Sequence, residues 1–144
     1  MKLARLASYR YAIGIDPGIN NGFAIYDRQL AEITHCNSMP LHVLLDTLKA
    51  WIANDIEVFI ENPNTWVGFK GKKGNDARLQ GAGAVKQTYR HIVEFLEDYA
   101  IPYTPTKLQG NLKKVSKDYF SKVTGYKDRT NEHARDAALI VFKK

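Results

Sequence analysis

The apolar positions of this chain change period along its length, and the changes mark out its elements. Residues 9–16 (YRYAIGID) turn apolar and then stop on one aspartate, which predicts a strand in which Gly14 allows close backbone approach. Residues 22–26 (GFAIY) predict a second strand, and the intervening PGINNG supplies residues that tolerate a tight reversal. A third strand is expected over residues 30–35, so the chain opens as an antiparallel meander. Pro40 then opens a helix, where its missing N–H costs little. Leu41, Leu44, Leu45, Leu48 and Ile52 follow at the spacing of one helical face. Residues 57–61 (EVFIE) are short, apolar and β-branched, as expected of a buried strand reached by a helical crossover.

Residues 62–76 (NPNTWVGFKGKKGND) predict a loop rich in Gly, Asn and Lys that carries Trp66 and Phe69. A long helix is expected from 77 to 99, with Ala82, Tyr89, Ile92, Leu96 and Tyr99 on one stripe. Pro102 and Pro105 bracket a short fifth strand around Tyr103, which must lie near a sheet edge or strand end. A Lys-rich helical stretch is expected from about 106 to 123, stopping near Gly125. A last helix over about 131–142 takes Asn131 or Thr130 as its cap. Neither an internal repeat nor an interdomain linker is visible, so residues 1–144 are expected to form a single domain.

This order predicts an α/β fold with a five-stranded mixed sheet, three antiparallel strands followed by two parallel ones, flanked by helices. The right-handed crossover rule sets the fourth strand parallel to the first. If the two are neighbours, Asp16 and Glu61 come side by side at the carboxyl edge, where ligands of α/β sheets usually sit.

Charge sharpens the picture more than composition does. The net charge is +6, with 44% apolar and 25% charged residues, ordinary for a globular chain. Residues 1–60 net −1, whereas residues 66–90 net +5 and residues 107–129 again net +5. Two basic segments on a near-neutral scaffold suggest a polyanionic partner, since phosphate neutralisation dominates nucleic-acid affinity; a solvated basic surface is the plainer alternative. No apolar run reaches the roughly 20 residues of a membrane span, and MKLARLASYR has no apolar core of a signal peptide. The lone Cys36 fits a reducing compartment, so a cytoplasmic location is expected.

The candidate chemistry completes itself near the end of the chain, in NEHARDAALIV at residues 131–141. His133 and Asp136 are spaced i, i+3 and share one helical face. Small and apolar residues between and after them suit packing on a sheet, which would turn the polar pair toward Asp16 and Glu61. Each piece alone has an ordinary reading: a turn aspartate, a loop-capping glutamate, a surface hydrogen-bonded pair. Together, three carboxylates and an imidazole would repel unless cations neutralise them. Two divalent metal ions would do so, and would activate water and stabilise the leaving oxygen in phosphodiester hydrolysis.

The set IGIDPGINNG, FIEN and EHARDAALI resembles the RuvC family of Holliday junction resolvases, within the RNase H-like nuclease superfamily, in order and spacing across nearly the whole chain. The resemblance implies an RNase H-like fold and a metal site formed by Asp16, Glu61, His133 and Asp136, the histidine standing for the family's alternative to a third aspartate. It implies two Mg²⁺ ions per site, with Mn²⁺ as substitute, and a homodimer that cuts four-way DNA junctions in a bacterial cell or phage-infected host. ARLQGAGAVKQTYR, from Ala77, is similar to the helix that family members use as dimer interface; Gly81, Ala82 and Gly83 would equally suit packing within the chain. YTPTKLQGNLKKVSK, from Tyr103, is similar to the family's basic region, which makes Lys107, Lys113, Lys114 and Lys117 candidate DNA contacts. Lys70, Lys72, Lys73 and Arg78 join them from the first basic segment, with Trp66 and Phe69 as candidate base-stacking wedges. The loop 62–76 is richer in Gly and Lys than the family leads one to expect. Related alternatives are a YqgF-like nuclease acting on RNA and a phage resolvase with broad branched-DNA activity.

Overall fold

The first apolar run pairs on both of its sides, and that pairing organises the domain. The computed structural model describes residues 9–65 and 76–144, without the side chains of residues 65 and 76–80. Strand β1 (Tyr11–Asp16) runs antiparallel to β2 (Asn21–Asp27), which in turn runs antiparallel to β3 (Glu32–Met39). Helix α1 (Leu41–Trp51) then crosses over to β4 (Ile56–Glu61), parallel to β1. Helix α2 (Asp76–Asp98) leads to β5 (Tyr103–Thr106), parallel to β4 at the far edge. The sheet order is β3-β2-β1-β4-β5, a mixed sheet of three antiparallel strands and two parallel ones, as the sequence pattern predicts. Helices α3 (Lys117–Thr124) and α4 (Glu132–Val141) complete the chain.

Strand periodicity explains the two cores. Side chains alternate faces, so Ile13 and Ile15, Phe23 and Ile25, and Ile56, Val58 and Ile60 enter one core together with Leu44 and Leu48 of α1 and Ile92 and Leu96 of α2. The opposite face carries Ala12, Ala24, Tyr26 and Phe59 and is covered by Ala134, Ala137, Ala138, Ile140 and Val141 of α4. Asp16 shares the parity of Ala12 and Gly14, and Glu61 that of Phe59. Both carboxylates are therefore set on the α4 face by strand alternation alone.

Small residues on that face let α4 lie directly on the sheet backbone. A Cβ added at Gly14 would stand 2.1 Å from the Ala137 carbonyl oxygen, and one at Gly22 1.9 Å from that of His133. Gly22 is also the register partner of Asp16, so its missing side chain leaves Asp16 its room.

Several boundaries differ from the sequence expectation for local reasons. The third strand begins at Glu32, because the buried Asp27 accepts the amides of Gln29 and Leu30 and holds a turn through the residues expected to start it. Pro40 is the cap before α1 rather than its first residue. Pro105 lies inside β5, tolerated at the sheet edge. The largest correction is the Lys-rich stretch 106–123, of which only the part from Lys117 is α-helical. Gly110–Leu112 form one 3-10 turn, Lys114 takes a left-handed φ of 55°, and Ser116 caps α3 by accepting the amide of Tyr119. Gly125 ends α3 in the left-handed conformation that favours glycine. Among the described residues, an added Cβ at Gly81 or Gly83 would meet nothing within 4 Å.

Opposite outcomes are expected for two glycine substitutions measured by urea unfolding. Gly22→Ala should destabilise by about 2 kcal/mol or more, because its obstacle is helix backbone that no rotamer change can move. Gly81→Ala should stabilise by about 0.5–1 kcal/mol, the helix-propensity gain at an open position.

Candidate active site

Each acidic side chain reaches the carboxyl edge of the sheet on a separately fixed element. Asp16 ends β1 and is 6% exposed. The turn after it is held by Asn21, fully buried, which accepts the Gly18 amide at 3.1 Å and donates to the Met39 carbonyl at 3.2 Å. Glu61 ends β4 and is 3% exposed. The amide of the next residue, Asn62, bonds the Thr106 carbonyl, and its side-chain oxygen accepts the Asn64 amide. On α4, Asn131 caps the helix by accepting the Ala134 amide at 2.9 Å and donates to Ser38 Oγ on β3 at 2.6 Å. The helix is thereby fixed in both rotation and rise, with His133 and Asp136 on the side of the two strand ends.

Asp16 and His133 are in direct contact, and Glu61 and Asp136 are near enough to act on Asp16 electrostatically. His133 Nδ1 stands 3.3 Å from Asp16 Oδ2. Asp136, 8% exposed, accepts the backbone amide of Lys114 at 2.9 Å. Lys113 Nζ reaches within 2.7 Å of Glu61 Oε1. That close ion pair brings a cationic group onto a carboxylate that the strand end buries. Lys113, expected among the phosphate contacts, is thus drawn into the acidic cluster itself.

The electrostatics follow from this crowding. Burial raises the Asp16 carboxyl to about 7; neighbouring Glu61 and Asp136 push the same way, and the His133 contact offsets part of the rise. Burial also raises Asp136, partly offset by the Lys114 amide. The hydrogen bond to Asp16 raises the His133 imidazole above its ordinary value, more than burial lowers it. Asp16 and His133 are therefore coupled, each shifting the other's titration.

The donor set suits a hard divalent cation: three carboxylates with one borderline imidazole. As the side chains stand, no three His, Cys, Asp or Glu groups among the described residues enclose an ion position. Glu61 Oε1 already holds one cationic group, the Lys113 ammonium, and is an acceptor suited to a cation. These residues fit the metal ions that the family resemblance implies.

The remaining candidates divide by position. Lys107, Lys114 and Lys117 are exposed, flanking the site or leading into α3. Trp66, Phe69, Lys70, Lys72 and Lys73 lie outside the described residues, and Arg78 belongs to α2 with its side chain not described. Sequence reasoning passed over two polar side chains that hold the site. Asn21 read as a generic turn residue, although an Asn at the first position of an apolar strand is a signal for a buried side-chain bond. Arg135, between His133 and Asp136, drew no reading from the sequence, and it is buried. No family model matches the sequence, and no curated protein matches it.

The raised carboxyl of Asp16 has a definite effect on stability without metal. Asp16 holds its proton more tightly folded than unfolded, so its contribution is fully present below the ordinary value of 3.8 and is lost as pH rises through about 7. Asp136 and His133 act in the same direction. In EDTA, Asp16→Asn should therefore melt increasingly above wild type as pH rises from 4 to 7, the gap levelling off beyond. Differential scanning fluorimetry across that range checks this; a gap independent of pH would mean that Asp16 is not titrating in the fold.

Proposed function

We propose that this chain is a divalent-metal-dependent endonuclease of the RNase H-like type that resolves four-way DNA junctions by paired phosphodiester hydrolysis. The observation that carries the reading is the meeting of Asp16, Glu61, His133 and Asp136 at one sheet edge, three of them buried. Such a cluster destabilises the fold unless cations compensate it, which makes a purely structural role a poor account of it. The likeness of IGIDPGINNG, FIEN and EHARDAALI to RuvC resolvases points the same way.

Asp16, Glu61, His133 and Asp136 would hold the ions, Mg²⁺ or in its place Mn²⁺. If bound there, such ions would supply activation of water and stabilisation of a departing oxygen. The chain's own residues prepare the site in other ways. Lys113 brings positive charge to the edge where a scissile phosphate would lie, and the Asp16–His133 pair can keep a proton between Oδ2 and Nδ1. Lys107, Lys114 and Lys117, all exposed, are candidates for phosphate contacts. Gly81 and Gly83, which no described residue covers, leave a stretch of α2 on which a second copy could approach closely, as a junction-cutting homodimer requires. Among the described residues no helix is long and apolar enough to cross a membrane, and a cytoplasmic setting agrees with a DNA substrate.

The deciding assay compares a synthetic four-way junction, a plain duplex and an RNA hairpin, with Mg²⁺, Mn²⁺, Ca²⁺ or EDTA. Junction cutting should appear with Mg²⁺, be matched or exceeded with Mn²⁺, and be absent with Ca²⁺. Glu61→Gln should lose cutting by several orders of magnitude while junction affinity holds or rises, since less negative charge meets the phosphates. Cutting that survives in EDTA, or in Glu61→Gln, would defeat the reading. Lys117→Ala should lower the slope of log affinity against log salt by about one unit and leave sequence preference alone.

A further inference from the structure

Arg135 lies between His133 and Asp136 on α4 and is 9% exposed. Burying a guanidinium is costly unless its N–H groups are taken up. Among the described residues it forms no ion pair. Its Nε donates instead to the Val115 carbonyl at 3.0 Å, and its Nη1 to Thr130 Oγ1, also at 3.0 Å. The first acceptor belongs to the segment 113–116, the second to the residue just before the Asn131 cap.

That segment is neither helix nor strand, yet it meets the acidic cluster twice, through the Lys113 ammonium on Glu61 and the Lys114 amide on Asp136. Lys114 is left-handed, with φ 55°. For a residue with a Cβ this conformation costs about 1–2 kcal/mol and persists where the surroundings impose it. Leu112 and Val115 pack against the core beneath α4, which sets the height of the segment. Apolar contact has no direction, however, and does not decide where an amide points. A planar fork bonded at two fixed nitrogens does.

We propose that Arg135 is a positioning residue that locks the segment 113–116 onto α4, so that the Lys114 amide meets Asp136 and the Lys113 ammonium meets Glu61. The lock holds whatever the site does; its catalytic consequence rests on the nuclease reading. On that reading Arg135→Lys lowers kcat on a four-way junction and leaves Kd unchanged.

Amide hydrogen exchange followed by NMR on the full metal-free chain tests the lock, with wild type, Arg135→Lys and Thr130→Val compared. Arg135→Lys keeps the charge but loses the fork. The Lys114 amide should then exchange roughly tenfold faster or more, as expected when a held hydrogen bond opens, while β1 and β4 keep their wild-type rates. Unchanged Lys114 exchange in Arg135→Lys overturns the proposal. Where that variant loosens the whole fold, Thr130→Val decides, because it removes one acceptor at a half-buried loop position. Faster exchange confined to 113–116 in Thr130→Val supports the lock, and none overturns it. A wild-type protein that cuts no junction, while Lys114 responds as described, removes the nuclease reading and leaves the lock standing.

Discussion

The close seating of α4 on the sheet is the constraint on which the site depends. Where Gly14 and Gly22 face the helix there is no side chain, and the carbonyls of Ala137 and His133 occupy the positions where Cβ atoms would be. Helix backbone against strand backbone is an unusually short spacing, made possible by the further small residues Ala12, Ala24, Ala134, Ala137 and Ala138. At an ordinary helix-to-sheet distance, the short Asp136 side chain and the His133 ring would fall away from the ends of β1 and β4. The chain accepts a weaker strand at two glycines and obtains a helix close enough for an aspartate to act across the gap.

The same closeness creates an electrostatic problem that the structure resolves only in part. Burial and mutual repulsion lift both Asp16 and Asp136. Compensation comes from three sources, none of them a full match: the His133 ring on Asp16, the Lys114 amide on Asp136 and the Lys113 ammonium on Glu61. The Lys113 ammonium meets one Glu61 oxygen, but Asp16 and Asp136 stay buried with carboxyls raised by burial and by acidic neighbours. An arrangement that keeps charge poorly compensated in a low-dielectric place is more readily explained by a ligand than by folding.

The mixed sheet of three antiparallel and two parallel strands, and the parallel run of β4 with β1 that would bring Asp16 beside Glu61, were legible in the sequence. They follow from periodicity and from the handedness of crossovers, which act over many residues at once. The cap and position of α4 were legible for a similar reason, since Asn131 followed by an alternation of polar and small residues has few other uses. Less legible was everything fixed by one or two hydrogen bonds. The stretch 106–116 has helical composition, and no pattern in it announces that Lys114 turns left-handed to donate to a carboxylate 22 residues later. Asp27 moved the start of β3 by capturing two amides, again a single-residue effect. Long-range tethers such as Arg135 to Val115 are invisible to local propensity, because neither partner has an unusual neighbourhood in sequence.

These two kinds of information map onto two layers of the site. The strand ends and α4 form a rigid frame determined by packing, which would keep its shape if the acids were replaced by neutral residues of similar size. The segment 113–116 is a second layer, determined by polar contacts, and it carries the nearest positive charge. Two of its three ties, Lys113 to Glu61 and Lys114 to Asp136, end on the carboxylates it compensates, so they weaken whenever those carboxylates find another partner. The Arg135 tie ends on neutral acceptors, Val115 and Thr130, and does not. A cation entering the cluster would compete with Lys113 for Glu61 while leaving Arg135 bonded, so the segment would keep its place on α4 even as its lysine was displaced. The freed ammonium would then stay beside the site, where on the proposed nuclease reading a phosphate would add the next negative charge.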